Sequence, residues 1–159
     1  MTEFRRGVRL GVDWGYARVG VAACDADGLL CYPLETIPAR DQDAALARVA
    51  ALADEMEPLE IVFGLPLALD GRVKLAANKM LGVANQLAAL VKVPIRLVDE
   101  RMTSAQANRE LARLDTRMRR IVIDQAAATG ILEGSLSTER QTGNPPGQLI
   151  GSPWTEGKA

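Results

Sequence analysis

Asp13, the adjacent pair Asp99-Glu100, and Asp124 are the residues around which chemistry can be built in this chain. Asp13 ends an apolar run and is followed by Gly15. A carboxylate in that place serves as a turn former or as a cation ligand. Asp99 and Glu100 close another apolar run, and strand alternation would send them to opposite faces, so one of the two points at a site. Asp124 sits in Ile121-Val122-Ile123-Asp124-Gln125-Ala126-Ala127-Ala128. Ala127, Ala128 and Ile131 follow it by three, four and seven residues, which puts it on or beside the apolar face of a helix. A lone charge there costs on the order of several kcal/mol unless it is paired or metal-bound. Arg101, Arg117 or Arg120 would supply a salt bridge; the metal-binding reading is the stronger one. Asp13, Glu100 (or Asp99) and Asp124 together make an all-oxygen donor set of the kind that selects Mg²⁺ or Mn²⁺. Two such ions about 4 Å apart stabilise the attacking and leaving oxygens of an in-line phosphodiester cleavage.

Composition points the same way. The 159 residues contain no histidine. That excludes Ser-His-Asp and Cys-His catalysis, the HExxH zinc site and any histidine general base. Cys24 and Cys31 are too few for a disulfide framework and form no CxxC pair, which fits a reducing cytoplasm. No apolar run approaches the ~20 residues needed to span a bilayer. Met1–Arg9 lacks a signal-peptide core. A cytoplasmic protein with no membrane partner is expected.

The elements that must position these residues can be read from period and punctuation. Val8–Asp13 and Ala17–Cys24 are β-rich runs around a tight turn at Trp14-Gly15-Tyr16, and Gly28–Leu34 follows the turn signal Asp25-Ala26-Asp27-Gly28. These make a meander of three antiparallel strands. Asp41 is placed to cap a helix that Pro58 ends. Glu60–Leu65 is a short apolar run suited to a strand buried on both faces. A helix over about 73–90 leads to a fifth strand, Ile95–Asp99. Thr103 with Gln106 resembles a capping box opening a helix to about Leu114, and a last helix spans about 119–134. The Gly- and Pro-containing remainder, 135–159, reads as a flexible tail outside a 1–134 domain. The fold class is α/β: a mixed five-stranded sheet, three antiparallel strands then two parallel, flanked by helices.

The formal net charge of −1 conceals an uneven distribution. Residues 25–60 carry nine acids and two bases, whereas residues 92–120 carry eight bases and four acids. Arg109, Arg113, Arg117, Arg119 and Arg120 thus gather near the second and third carboxylates, where they would hold a phosphate backbone.

Four motifs resemble the YqgF/RuvX family of RNase H-like proteins, described as Holliday-junction resolvases and as nucleases of small-subunit rRNA maturation. They are Gly11-Val12-Asp13-Trp14-Gly15 with Arg18-Val19-Gly20-Val21-Ala22, Val62-Phe63-Gly64-Leu65-Pro66 with Asp70-Gly71, Asp99-Glu100-Arg101-Met102-Thr103, and Ile123-Asp124-Gln125-Ala126-Ala127-Ala128. In order and spacing they cover about residues 8–134. The resemblance implies an RNase H-like fold and divalent-metal-dependent hydrolysis of branched DNA or precursor rRNA. Asp13, Glu100 and Asp124 would be its metal ligands, and Arg18, Arg101 and Thr103 its phosphate contacts. The chain departs from the family pattern at Ala17, at Arg72-Val73-Lys74, and in the short stretch Leu114–Arg120. These departures bear on substrate grip more than on the carboxylates. A non-catalytic nucleic-acid-binding or ribosome-assembly factor is the alternative, disfavoured because all three carboxylates are present. An actin-like ATPase would need a second, related domain that the chain does not contain. Junction resolution would call for two active sites and hence a homodimer.

Overall fold

Alternating apolar residues at the N-terminus build a meander, as read from the sequence. In the computed structural model, which describes residues 4–65, 71–99 and 116–150 and only the backbone at 71–77 and 116–125, the strands are β1 (Arg9–Trp14), β2 (Arg18–Cys24) and β3 (Cys31–Pro38). The third begins later than the turn signal suggested. Asp25 accepts the N–H groups of Leu29 and Leu30 at 2.8 and 2.9 Å, and Gly28 takes a φ of 66°, so the turn consumes residues that alternation assigned to the strand. Helix α1 (Gln42–Met56) opens on Asp41, whose carboxylate accepts the Ala44 N–H at 3.1 Å, and ends at Glu57 in the left-handed region just before Pro58. Then come β4 (Glu60–Leu65), α2 (Gly71–Leu90), β5 (Ile95–Asp99) and α3 (Thr116–Thr142). The helix expected over Thr103–Leu114 lies outside the described residues.

The sheet has six strands rather than five, in the order β3-β2-β1-β4-β5-β6, where β6 is Gln148–Ile150. Strands β1, β4 and β5 are parallel, and β6 returns antiparallel along β5, Leu97 opposite Gln148. The stretch from Ser135 onward therefore supplies the last turns of α3 and an edge strand up to Ile150. Thr138 and Thr142 donate their hydroxyls to the carbonyls four residues back, so these polar side chains find partners within the helix itself. Gly143 and Gly147, with φ of 75° and 67°, turn the chain back; a Cβ at Gly147 would strike the Leu97 carbonyl. Residues 151–159, expected as the rest of a flexible tail, lie outside the described residues.

The sheet buries both faces. Leu10, Val12, Ile61, Phe63 and Leu97 pack beneath α1 and α2, against Leu46, Val49, Val83 and Leu87. Ala22, Cys24, Val62 and Val98 pack beneath α3, against Ala128, Ile131, Leu132 and Leu136. At the amino ends of the parallel strands this second face is closed by charge. Glu60 and Glu139 are fully buried and face Arg5, Arg9 and Arg96. Arg5 donates to both carboxylates at 2.7–3.2 Å, Arg96 Nε to Glu60 at 2.6 Å, and Arg9 Nη2 to Glu139 at 3.2 Å. The N-terminal segment, three strands and α3 are thus tied at one point.

Burial alone would push the Glu139 carboxyl up. The hydrogen bonds from the Arg5 side chain and backbone, with the charges of Arg5 and Arg9, hold it below the ordinary carboxylate range. A carboxyl depressed on folding contributes stability above its unfolded pKa of about 4.3 and loses that contribution as pH falls through the folded value. Glu139→Gln is therefore expected to lower stability at neutral pH by about 3 kcal/mol in urea titrations, because buried guanidinium charge is left undercompensated. The gap from the unsubstituted chain should narrow as pH falls from about 5 to 3. A pH-independent gap would contradict this role.

Candidate active site at the carboxyl ends of β1, β4 and β5

Strand parity decides which side chains reach the face under α3. On β1, Leu10, Val12 and Trp14 belong to the core under α1 and α2, so Arg9, Gly11 and Asp13 alternate to the α3 face. Asp13 is half-buried at the carboxyl end of the strand. Its cross-strand partner on β2 is Gly20, which places no side chain directly beside the carboxylate. Arg18, the half-buried first residue of β2, has the parity of Gly20 and Ala22 and so shares that face and that end of the sheet.

The course of α3 follows from its contacts with β1. Glu139 meets Arg9, whereas a Cβ built on Gly11 would lie 2.8 Å from the Ala128 carbonyl oxygen and 3.1 Å from the Leu132 Cβ. The helix accordingly runs antiparallel to β1, its backbone almost touching the strand at Gly11. Position 124 lies one turn, about 6 Å, beyond Ala128 toward the helix N-terminus. Asp13 lies two residues, about 7 Å, beyond Gly11 in the same direction. Positions 13 and 124 therefore approach the same end of the sheet, one from a strand and one from a helix. The Asp124 side chain is outside the described residues.

On β5, Val98 belongs to the α3 face and Leu97 to the opposite one, so Asp99, paired with Leu65 of β4, alternates away from Asp13. Glu100, Arg101, Thr103, Arg109 and Arg113 lie outside the described residues, as do residues 66–70. Arg117, Arg119 and Arg120 fall in the first turns of α3, where the backbone alone is described. Among the described residues no three potential metal-ligating side chains cluster. The donor chemistry of Asp13, which faces the helix that carries position 124, nonetheless suits a hard divalent cation, whereas the parity of Asp99 turns it away from that face. Sequence reasoning missed Tyr16, Arg40 and Lys79, which line a cleft on the other side of the β1 end. They come from a hairpin turn, the connection between β3 and α1, and α2, and the one local signal is an aromatic residue at a hairpin tip.

Comparison with known proteins places these features in context. The family model for RuvX, described as Holliday junction resolvase, matches residues 7–138. A Streptomyces coelicolor protein named "Putative pre-16S rRNA nuclease" is 49% identical over 151 residues, covering 93% of this chain and 90% of that one. A Thermobifida fusca protein of the same name is 46% identical, covering 92% and 97%. Among solved structures, Thermus thermophilus RuvC in complex with a Holliday junction substrate superposes with a TM-score of 0.58 at 17% identity, over 87% of this chain and 99% of that one. The fold is thus the RNase H-like α/β fold that the motifs implied. Among the described residues no helix is long and apolar enough to cross a membrane.

The close approach at Gly11 makes a steric prediction. Gly11→Ala should destabilise the chain by about 1–3 kcal/mol, because the new methyl meets helix backbone that cannot rotate away. Gly82→Ala, exposed in α2 with nothing within 4 Å of the added Cβ, should instead stabilise by up to about 1 kcal/mol. Equal and small effects in chemical denaturation would mean that α3 does not sit tightly on β1.

Proposed function

This chain belongs to the RuvX family, and from that premise we propose that it is a cytoplasmic, divalent-metal-dependent endonuclease that hydrolyses phosphodiester bonds of structured nucleic acid. The observation that carries the reading is the placement of Asp13 on the α3 face, at the strand end toward which position 124 also lies. Asp13, Glu100 and Asp124 are the ligands for Mg²⁺ or Mn²⁺. Bound there, the ions supply activation of water and neutralisation of charge on the leaving oxygen.

The chain's own residues orient the reacting phosphate. Asp13 fixes its position through β1, which is buried between two helical layers and held by pairing on both sides. Arg18, on the same face and at the same end, contacts the phosphate flanking the scissile bond, a task suited to its fixed fork of donors. Arg101, Thr103, Arg109, Arg113, Arg117, Arg119 and Arg120 extend that grip along the backbone. Such contacts position the substrate without reading its sequence.

The substrate favoured is the precursor of small-subunit rRNA, on the strength of full-length relatives named for it. Four-way junction DNA is the second reading, favoured by the family description; it requires two sites and therefore a homodimer. Cleavage assays with Mg²⁺ or Mn²⁺ on both substrates separate the two. Asp13→Asn is expected to reduce cleavage by at least about a thousandfold while the thermal unfolding profile remains cooperative. Undiminished cleavage by that variant would remove the site assignment. Binding without cleavage by the unsubstituted chain, across metals and substrates, would favour the assembly-factor reading.

A further inference from the structure

A second cleft opens beside the same strand end, on the α1/α2 side of the sheet. It encloses about 750 Å³ between the β1–β2 turn, the residues after β3, and α2, and is lined by Trp14, Tyr16, Arg40, Gln42, Lys79 and Met80 among others. That volume lies within the range of clefts that take small organic groups. Its charge is one-sided: Arg40 and Lys79 line it, and among the described residues no carboxylate does.

Tyr16 stands at the rim, 92% exposed. The turn that carries it is not loose. Gly15 N–H donates to the Arg18 carbonyl at 2.9 Å, and Ala39 N–H to the Ala17 carbonyl at 2.9 Å, which ties the turn to the end of β3. The Lys79 ammonium lies 5.7 Å from the centre of the Tyr16 ring. Beneath them Trp14 is buried and stacked on Phe63, 6.3 Å between ring centres, which gives the cleft a rigid wall. An aromatic ring held in the open by a fixed turn, with two cations lining an open cleft beside it, has the parts needed for one nucleotide. A base stacks on the ring whatever its sequence, and the phosphate meets the cations. A paired base has both faces covered by its neighbours and is not available to the ring.

We propose that this cleft holds one unpaired nucleotide of the nucleic-acid substrate, its base on Tyr16 and its phosphate between Arg40 and Lys79. The identity of the ligand as part of a substrate rests on the nuclease reading. Asp13 and Tyr16 flank the end of β1, so a strand crossing that end runs from one to the other. The cleft thereby selects bonds that adjoin an unpaired nucleotide, as at a helix end or branch point.

The test is binding without metal, followed by fluorescence anisotropy, to a labelled single-stranded RNA oligonucleotide and to its fully paired duplex. The unsubstituted chain is expected to prefer the single strand. Tyr16→Ala should lower the ratio of single-strand to duplex affinity about tenfold, whereas Tyr16→Phe should retain it, because stacking needs the ring and not the hydroxyl. Lys79→Gln should weaken single-strand binding and lower its salt dependence by about one released counterion. The exposure of Tyr16 makes misfolding of its variants no obstacle. An unchanged ratio in Tyr16→Ala, an equal loss in Tyr16→Phe, or no preference in the unsubstituted chain would overturn the proposal. Because no bond is cut, the two readings fail separately. A Tyr16-dependent ratio in a chain that cleaves nothing keeps the cleft and removes the nuclease, and cleavage with Tyr16-independent binding does the reverse.

Discussion

The seat of α3 on β1 is the constraint on which the remaining geometry depends. Two features at different heights along the strand set it. Near the amino end, Arg5 and Arg9 hold Glu139 in the buried charge cluster that Glu60 and Arg96 complete. Two residues further, Gly11 lets the helix backbone approach until a methyl group would not fit. A buried ion pair is a poor source of net stability, since desolvation cancels much of its attraction, but it is intolerant of misplacement. One contact fixes the register and the other the spacing. Together they leave the helix a single course, toward the carboxyl end of the strand.

That course explains the division of labour between the two ends of the sheet. At the amino ends of the parallel strands, the buried carboxylates of Glu60 and Glu139 are paired with buried Arg9 and with Arg5 and Arg96, which keep part of their side chains in solvent. At the carboxyl ends, the strand order brings β1, β4 and β5 side by side, the place where open α/β sheets take their ligands. The α3 face at that end carries Asp13 and Arg18, and the opposite face carries the cleft of Trp14, Tyr16, Arg40 and Lys79. The proposed reaction and the proposed grip on an unpaired nucleotide thus share one strand end but use different sides of it.

Much of this was legible in the residues. Alternation in Val8–Cys24, the Asp41 cap, Pro58 as a stop and the apolar run that follows Glu60 up to Leu65 each act locally, and each element formed where its pattern placed it. The absent histidine and the three carboxylates narrowed the chemistry before any fold was known. What stayed hidden depends on contacts between distant positions. The last turns of α3 look like a polar tail until Glu139 is seen against Arg5 and Arg9, more than 125 residues away in the chain. β6 follows a Pro- and Gly-rich segment whose turns have meaning only beside β5. The start of β3 was misplaced because a side chain, Asp25, captured two N–H groups that alternation assigned to the sheet.

The central claim is that the sheet and α3 bring Asp13 and Asp124 to one divalent-cation site. Calorimetric titration with Mn²⁺ tests it without reference to any substrate. If both carboxylates ligate the same cation, the unsubstituted chain should bind the ion, and Asp13→Asn and Asp124→Asn should each weaken binding by a similar large factor. Titration of Asp124→Asn indistinguishable from that of the unsubstituted chain would contradict the account, because position 124 would then stand apart from the site that β1 presents.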